Sequence, residues 1–163
     1  MTKLYLLCGK IAAGKSTLAR TLATAPSTVL ISEDHWISTL YPGAVRTIDD
    51  YDLLSGRLRE AMTPHILQLL RQRLSVVLDF PANTREQRSW MRSLIDQADV
   101  AHELHWLDVP DAVCKRRLQL RNVRADHPFQ ASEAEFDLFT SYFEPPAPSE
   151  RFNVVAHAGE YDD

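Results

Sequence analysis

Short apolar runs alternate with amphipathic stretches along the chain. Five of the runs are rich in aliphatic or aromatic residues and bounded by polar ones, a pattern typical of buried strands. They are Leu4–Cys8, Thr28–Ser32, Leu74–Phe80, Val100–Leu107 and Phe152–Val155. Strands that alternate with helices predict a parallel sheet covered on its faces by helices. The expected fold class is therefore α/β, a three-layer α/β/α sandwich around a five-stranded, mostly parallel sheet.

Helical spacing of apolar residues fills the segments between these strands. A first helix is predicted over Ser16–Ala23. A longer helical pattern begins near Leu58, and Pro64 interrupts it. Because Thr63 and Pro64 suit the N-cap and first position of a helix, the pattern predicts a break there and a second helix that ends near Arg73.

Start signals predict three later helices. The pairs Thr84 with Gln87 and Ser132 with Glu135 both match the capping box, in which each side chain bonds the other residue's backbone. Between them, Pro110 directly before an aspartate is typical of a helix start.

The stretch Gly9–Ser16 carries the strongest chemical signal. It matches the phosphate-loop pattern G-x-x-x-x-G-K-[ST], between a predicted strand and a predicted helix. Gly9 and Gly14 let the backbone approach a phosphate chain, Lys15 can reach the outer phosphates, and the Ser16 hydroxyl can ligate Mg²⁺. A glycine turn with a capping lysine is the alternative. The predicted phosphate-binding residues are Gly9, Lys10, Ile11, Ala12, Ala13, Gly14, Lys15, Ser16 and Thr17.

Two carboxylates lie at the carboxyl ends of predicted strands, where catalytic groups of parallel α/β proteins are found. Asp34 follows the second strand and Asp79 ends the third. Asp34 is a candidate base that accepts the proton of a substrate hydroxyl. Asp79 ends an apolar strand in the manner of a Walker B aspartate and is a candidate Mg²⁺ ligand. Helix capping is the alternative for either residue.

The densest basic cluster, residues 115–124, lies on a predicted helix. Arg117 and Arg121 are four residues apart and therefore share a helical face. Two arginines on one face can clamp phosphates and neutralise the charge that develops during phosphoryl transfer. This predicts a lid segment around residues 115–130, against the alternative of a solvated charged face.

Composition narrows the class of protein. A length of 163 residues predicts a single domain over residues 1–163. The net charge of −4 argues against a general nucleic-acid binder. The N-terminus has no secretory pattern and its apolar run is too short to span a membrane, so we expect a cytoplasmic protein without a membrane partner. Cys8 and Cys114 are expected to be reduced core residues.

The assembled features resemble the small P-loop kinases grouped as AAA-family ATPases or predicted kinases. This group is related to polynucleotide kinase, chloramphenicol phosphotransferase and zeta toxin. The resemblance covers nearly the whole chain and is clearest over Val76–Thr84, Cys114–Asn122 and Phe143–Pro146. It implies a nucleotide-kinase-like P-loop NTPase fold that uses ATP with Mg²⁺.

The resemblance also implies roles for individual residues, with Asp34 as the base and Arg117 and Arg121 as lid residues. After Asp34 the chain continues with His35-Trp36-Ile37. It lacks the nearby arginine that polynucleotide kinase uses on its nucleic acid, which argues against a polynucleotide acceptor.

The expected function is transfer of the γ-phosphate of ATP to a hydroxyl of a small molecule. Arg46, Asp49 and Tyr51 are candidates for the acceptor pocket, although each of them taken singly is expected to lie in a solvated loop. A zeta-toxin-like kinase of an activated amino sugar is one alternative, and a nucleotide-dependent ATPase or switch acting through a protein partner is another. Monomer and homodimer both stay open.

Overall fold

The computed structural model describes residues 1–124 and 130–158. Within them, five strands form one sheet: β1 (Lys3–Cys8), β2 (Thr28–Ser32), β3 (Ser75–Pro81), β4 (Ala101–Asp108) and β5 (Val154–Ala158). The strand order is β2-β3-β1-β4-β5, and each neighbouring pair is parallel. The predicted α/β class is therefore confirmed, and β1 lies at the centre of the sheet.

In the described part of the chain, six α-helices connect and cover the strands. They are α1 (Lys15–Leu22), α2 (Glu33–Leu40), α3 (Ile48–Arg71), α4 (Arg85–Ala98), α5 (Asp111–Arg124) and α6 (Glu133–Ser141). Among the described residues, none of the helices has the length and apolar character needed to span a membrane.

Side chains of β1 alternate between the two faces of the sheet. Leu4 and Leu6 are fully buried on one face, in a cluster with residues of α2, α3 and α4. Leu7 points to the other face, where it packs with Ala19 of α1. Helices thus cover both faces, and the three-layer sandwich is confirmed. A further cluster joins α5 and α6 to Ala13, so these two helices pack beside the loop that follows β1.

Helix α3 begins earlier than the sequence predicted. The Thr47 hydroxyl accepts a hydrogen bond from the Asp50 amide, and the Asp50 carboxylate accepts one from the Thr47 amide. This capping box starts the helix at Ile48, so the expectation of a solvated loop was wrong for Asp49 and Tyr51, which lie within α3. Asp50 stands at N3, where the capping box usually has Glu or Gln, so the sequence pattern did not indicate this helix start.

The predicted break at Pro64 was also wrong, because α3 continues through it to Arg71. A proline inside a helix costs about 3 kcal/mol. Buried residues on both sides of Pro64 form one continuous stripe against the core, namely Leu58, Met62, Ile66 and Leu70. Burial contributes roughly 1.5–3 kcal/mol for each such side chain. A continuous helix keeps the whole stripe buried, and this burial outweighs the lost hydrogen bond.

Arg88 of α4 fastens the segment that follows α6, which we call the strap (residues 144–150). Arg88 is fully buried. Its Nε donates to Glu150 Oε1 at 2.8 Å, and its Nη1 donates to the carbonyls of Ala82 at 3.0 Å and Glu144 at 2.7 Å. Its Nη2 donates to the Pro145 carbonyl at 3.3 Å. One cation thus joins the strap to the end of β3.

Glu33, the first residue of α2, is a buried carboxyl that joins α2 to α3. The Tyr51 hydroxyl donates to its Oε1 at 2.5 Å, and the Ser55 hydroxyl donates to its Oε2 at 2.8 Å. Burial is the main cause that raises the pKa of Glu33 from 4.5 to about 7, against the two hydrogen bonds, which lower it.

We expect Arg88→Met to lower the free energy of unfolding by about 3–5 kcal/mol, because Glu150 then keeps a largely buried charge without its cation. The double variant Arg88→Met with Glu150→Gln is expected to recover part of this loss. Urea unfolding of the three proteins measures both effects. A double variant less stable than Arg88→Met would contradict the ion-pair explanation.

The titration of Glu33 predicts a pH-dependent stability. Because its folded pKa lies above its ordinary value, the folded protein keeps a proton that the unfolded chain releases, and stability falls as pH rises between 4.5 and about 7. Glu33→Gln removes this titration. The free energy of unfolding of the variant should therefore rise relative to wild type across this range, by an amount on the order of 1–3 kcal/mol. Unfolding curves at several pH values test this, and a constant difference would refute it.

Candidate functional site

The loop Gly9–Ser16 leaves the central strand β1 and enters the first turn of α1. Gly14 has a φ of 104°, a left-handed conformation that favours glycine. A Cβ on Gly9 would lie 3.2 Å from the Leu107 carbonyl oxygen and 3.2 Å from Ala13 Cβ. The fold therefore requires glycine at the two positions where the phosphate-loop motif has it.

Lys15 lies folded into this loop. Its Nζ donates hydrogen bonds to the carbonyls of Gly9 at 2.5 Å and Lys10 at 2.8 Å. Burial lowers the pKa of Lys15, while the carboxylates of Asp79 and Asp34 act in the opposite direction. The ammonium group thus lies within the electrostatic reach of both candidate carboxylates.

Ser16 and Asp79 meet beside the loop. The Ser16 hydroxyl donates to Asp79 Oδ2 at 2.8 Å. They come together because β3 is the parallel neighbour of β1, so Asp79, near the carboxyl end of β3, faces the start of α1. A hydroxyl and a carboxylate are hard oxygen donors of the kind that Mg²⁺ prefers, with nucleotide phosphates and water as its other ligands. This pair therefore fits the magnesium ion that the sequence led us to expect.

Asp34 is the second residue of α2 and is half-buried. The capping role belongs to Ser32, whose hydroxyl accepts the His35 amide at 3.3 Å. Asp34 therefore does not provide this side-chain cap, and its charge acts on Lys15 across the carboxyl edge of the sheet. The structure places this carboxylate on the same edge as the phosphate loop and Asp79.

Arg117 reaches the loop from α5. Its Nη1 donates to the Ala13 carbonyl at 3.3 Å, while Leu118 on the same helix is buried in the core. Arg121 lies one turn further along α5 and is half-buried. Lys115 instead bonds Glu133 and Asp137 of α6, which ties the two helices together. Residues 125–129 of the predicted lid lie outside the described residues.

The candidates for the acceptor pocket are only partly brought together. Arg46 is exposed and its Nε donates to the Gly43 carbonyl at 3.3 Å. Asp49 is exposed in the first turn of α3. Tyr51 directs its hydroxyl to Glu33, and its ring meets Phe139 of α6 edge-on, with ring centroids 6.4 Å apart. Of the three, Tyr51 therefore connects most directly to the region around Asp34.

The sequence did not indicate two residues at this site, Glu33 and Asn83. Glu33 is buried next to Asp34, and its hydrogen-bond partners Tyr51 and Ser55 come from α3. Asn83 bonds both backbone groups of Gly9, accepting from its amide at 2.9 Å and donating to its carbonyl at 2.8 Å. The position of Asn83, shortly after the candidate Walker B strand, was the one available signal.

Several solved structures share this fold. A proposed kinase from Chloroflexus aurantiacus has a TM-score of 0.74 at 18% identity, covering 96% of this chain and 85% of that one. Kti12 from Chaetomium thermophilum, in complex with ADP-AlF3, has a TM-score of 0.71 at 17% identity, covering 98% and 91%. A sugar kinase from Janibacter sp. has a TM-score of 0.65 at 20% identity, covering 97% and 86%.

A fungal RNA kinase also has this fold, with a TM-score of 0.57 at 17% identity, covering 95% of this chain and 73% of that one. At these identities the similarity establishes the fold and leaves the acceptor undetermined. No protein with a curated description matches the sequence.

The sequence itself matches a family model. The AAA domain family AAA_33 matches residues 4–146, which includes the phosphate loop, Asp34, Asp79 and the described part of the predicted lid. The match covers most of the chain, and kinases are among the solved structures with its fold. This chain therefore belongs to the AAA domain family AAA_33.

Proposed function

We propose that this protein transfers the γ-phosphate of ATP to a hydroxyl group of a small-molecule acceptor. The observation that carries the proposal is the meeting of three elements at the phosphate loop. Ser16 on the loop bonds Asp79 from β3, and Arg117 from α5 bonds the loop at Ala13. The charge of Asp34 from α2 acts on Lys15 at the same edge. A pure phosphate-binding site needs neither the candidate base nor the arginine.

The donor side of the proposed site is the loop itself. In this proposal the phosphates bind backbone amides of the loop and the N-terminus of α1, and Lys15 contacts the outer phosphates. The amides of Gly9 and Ala13 are already engaged, by Asn83 and by the Lys10 carbonyl. Ser16 and Asp79 would hold Mg²⁺. When bound, the ion neutralises charge on the phosphate oxygens.

The acceptor side centres on Asp34. Its carboxylate accepts the proton of the acceptor hydroxyl, and the oxygen attacks the γ-phosphorus. The bond from that phosphorus to the bridging oxygen breaks, and ADP leaves with the electron pair. Arg117 and Arg121 supply positive charge to the transferring group, where it stabilises the transition state.

The charge of the chain supports a small-molecule acceptor over a nucleic acid. The chain carries a net charge of −4, and the residues after Asp34 provide no arginine for a nucleic-acid phosphate before Arg46. Arg46 itself is exposed and bonds the Gly43 carbonyl. Nucleic-acid binding generally depends on a basic surface that neutralises several phosphates.

Asp34→Asn tests the assigned base. We expect phosphate transfer to fall on the order of 10²–10⁴-fold, with ATP affinity retained, because the change removes the proton acceptor and leaves the phosphate loop intact. The assay is ADP release from Mg-ATP with and without a size-filtered extract of small molecules, beside titration with a fluorescent ATP analogue. Asp99→Asn is the matched control, since Asp99 lies at the C-terminal end of α4 and Asn tolerates its left-handed conformation.

The same assay separates the alternatives. Equal losses of transfer and ATP affinity in Asp34→Asn would refute the role of Asp34. Tight ATP binding with no response to the extract would reject the small-molecule acceptor. A response to 5′-hydroxyl RNA would then indicate a polynucleotide acceptor, and hydrolysis stimulated by a protein would indicate a switch.

Asp79→Asn tests the proposed magnesium ligand. We expect the Mg²⁺ concentration for half-maximal activity to rise on the order of 10–100-fold, because an amide is a weaker ligand and a weaker acceptor for metal-bound water. ATP affinity in EDTA should match that of wild type, which separates loss of the metal from loss of the fold. An unchanged Mg²⁺ dependence would show that Asp79 does not serve the metal.

A further inference from the structure

At the start of the phosphate loop, the Asn83 side chain makes hydrogen bonds of the kind that a neighbouring strand makes along β1. The ladder between β1 and β3 shifts its register after Leu6, which pairs with Leu78, whereas Leu7 pairs with Pro81. Beyond Leu7, the side-chain amide of Asn83 bonds the N–H and the C=O of Gly9. It thereby makes the two hydrogen bonds that a continued ladder would provide.

The carbonyl of Gly9 has a second donor in Lys15. Asn83 Nδ2 lies 2.8 Å from this oxygen and Lys15 Nζ lies 2.5 Å from it. Gly9 is buried. A buried carbonyl that loses all its donors is unfavourable. Lys15 can therefore turn toward a phosphate most easily if Asn83 continues to donate to the oxygen that the ammonium leaves.

Asn83 is itself held from two other elements. The backbone N–H of Asn83 donates to Gln87 Oε1 at 2.9 Å, within the capping box of α4. Its carbonyl accepts the Glu144 amide of the strap at 2.8 Å. Because Arg88 bonds the strap at Glu144, Pro145 and Glu150, the backbone of Asn83 is fixed before any ligand arrives.

We propose that Asn83 is a positioning residue for phosphate binding: it fixes Gly9 and satisfies the Gly9 carbonyl, so that Lys15 is available to the phosphates. The inference rests on the proposed binding of ATP at this loop. An amide suits this role because it offers one acceptor and one donor without charge. A carboxylate would still accept from the Gly9 amide, but it would repel the Gly9 carbonyl and attract the Lys15 ammonium.

The test compares Asn83→Ala and Asn83→Asp by titration with the fluorescent ATP analogue. We expect affinity to fall about 10-fold in Asn83→Ala, and further in Asn83→Asp. A merely structural role predicts the reverse order, because aspartate keeps the shape and one of the two hydrogen bonds. The control is Asn153→Ala, since the Asn153 side chain donates to the His102 carbonyl on β4. We expect this variant to bind ATP as the wild-type protein does.

A double-mutant cycle with Lys15→Ala tests whether Asn83 acts through Lys15. We expect Asn83→Ala to reduce ATP affinity much less when Lys15 is already absent. Additive losses, or a milder effect of Asn83→Asp than of Asn83→Ala, would overturn the inference. Thermal unfolding without ligand checks that each variant folds. If Asn83→Ala does not fold, Asn83→Ser replaces it in both comparisons, because serine satisfies one group of Gly9 without charge.

The outcomes also separate this inference from the proposed function. If the wild-type protein binds no ATP, the proposed function fails. If wild type and Asn83→Ala bind ATP equally well, the proposed function stands and the positioning role of Asn83 is rejected.

Discussion

A backbone that leaves the middle of a buried sheet must keep its polar groups hydrogen-bonded. The phosphate loop begins under this constraint, because β1 lies between β3 and β4 and Gly9 is buried. Two side chains provide these hydrogen bonds. Asn83 bonds the amide and the carbonyl of Gly9, and Lys15 donates to the carbonyls of Gly9 and Lys10. The same contacts hold Lys15 inside the loop.

The surrounding elements connect to the loop by a few polar contacts. Arg88 holds the strap, the strap bonds Asn83, and Asn83 bonds Gly9. On the other side, Arg117 of α5 bonds the Ala13 carbonyl. Buried charges such as that of Arg88 are weak evidence for stability, but they specify which segments lie together. Here they determine how the end of α6 and the end of β3 meet beside the loop.

The donor and acceptor sides of the site follow different physical rules. Phosphate recognition uses backbone amides and a helix N-terminus, which any chain with the loop can supply. Under the proposed function, acceptor recognition depends on side chains of α2, α3 and α6. Proteins with this fold include a sugar kinase and an RNA kinase. In this chain the contact of Tyr51 with Glu33 and Phe139 links those three helices beside Asp34. Under the proposed function these contacts, and not the fold, select the acceptor.

The sequence alone determined the elements that depend on neighbours within a few residues: the strands, the phosphate loop, the capping boxes at Thr84 and Ser132, and the candidate pair Asp34 and Asp79. It misplaced the start of α3 and predicted a break at Pro64, because local spacing does not show how much core surface a continuous helix buries. Only the tertiary structure showed that Asn83 meets Gly9 and that Glu33 is buried under α3. Those contacts join residues far apart in the chain. The periodicity of apolar residues carries information only about residues a few positions apart, so it could not indicate them.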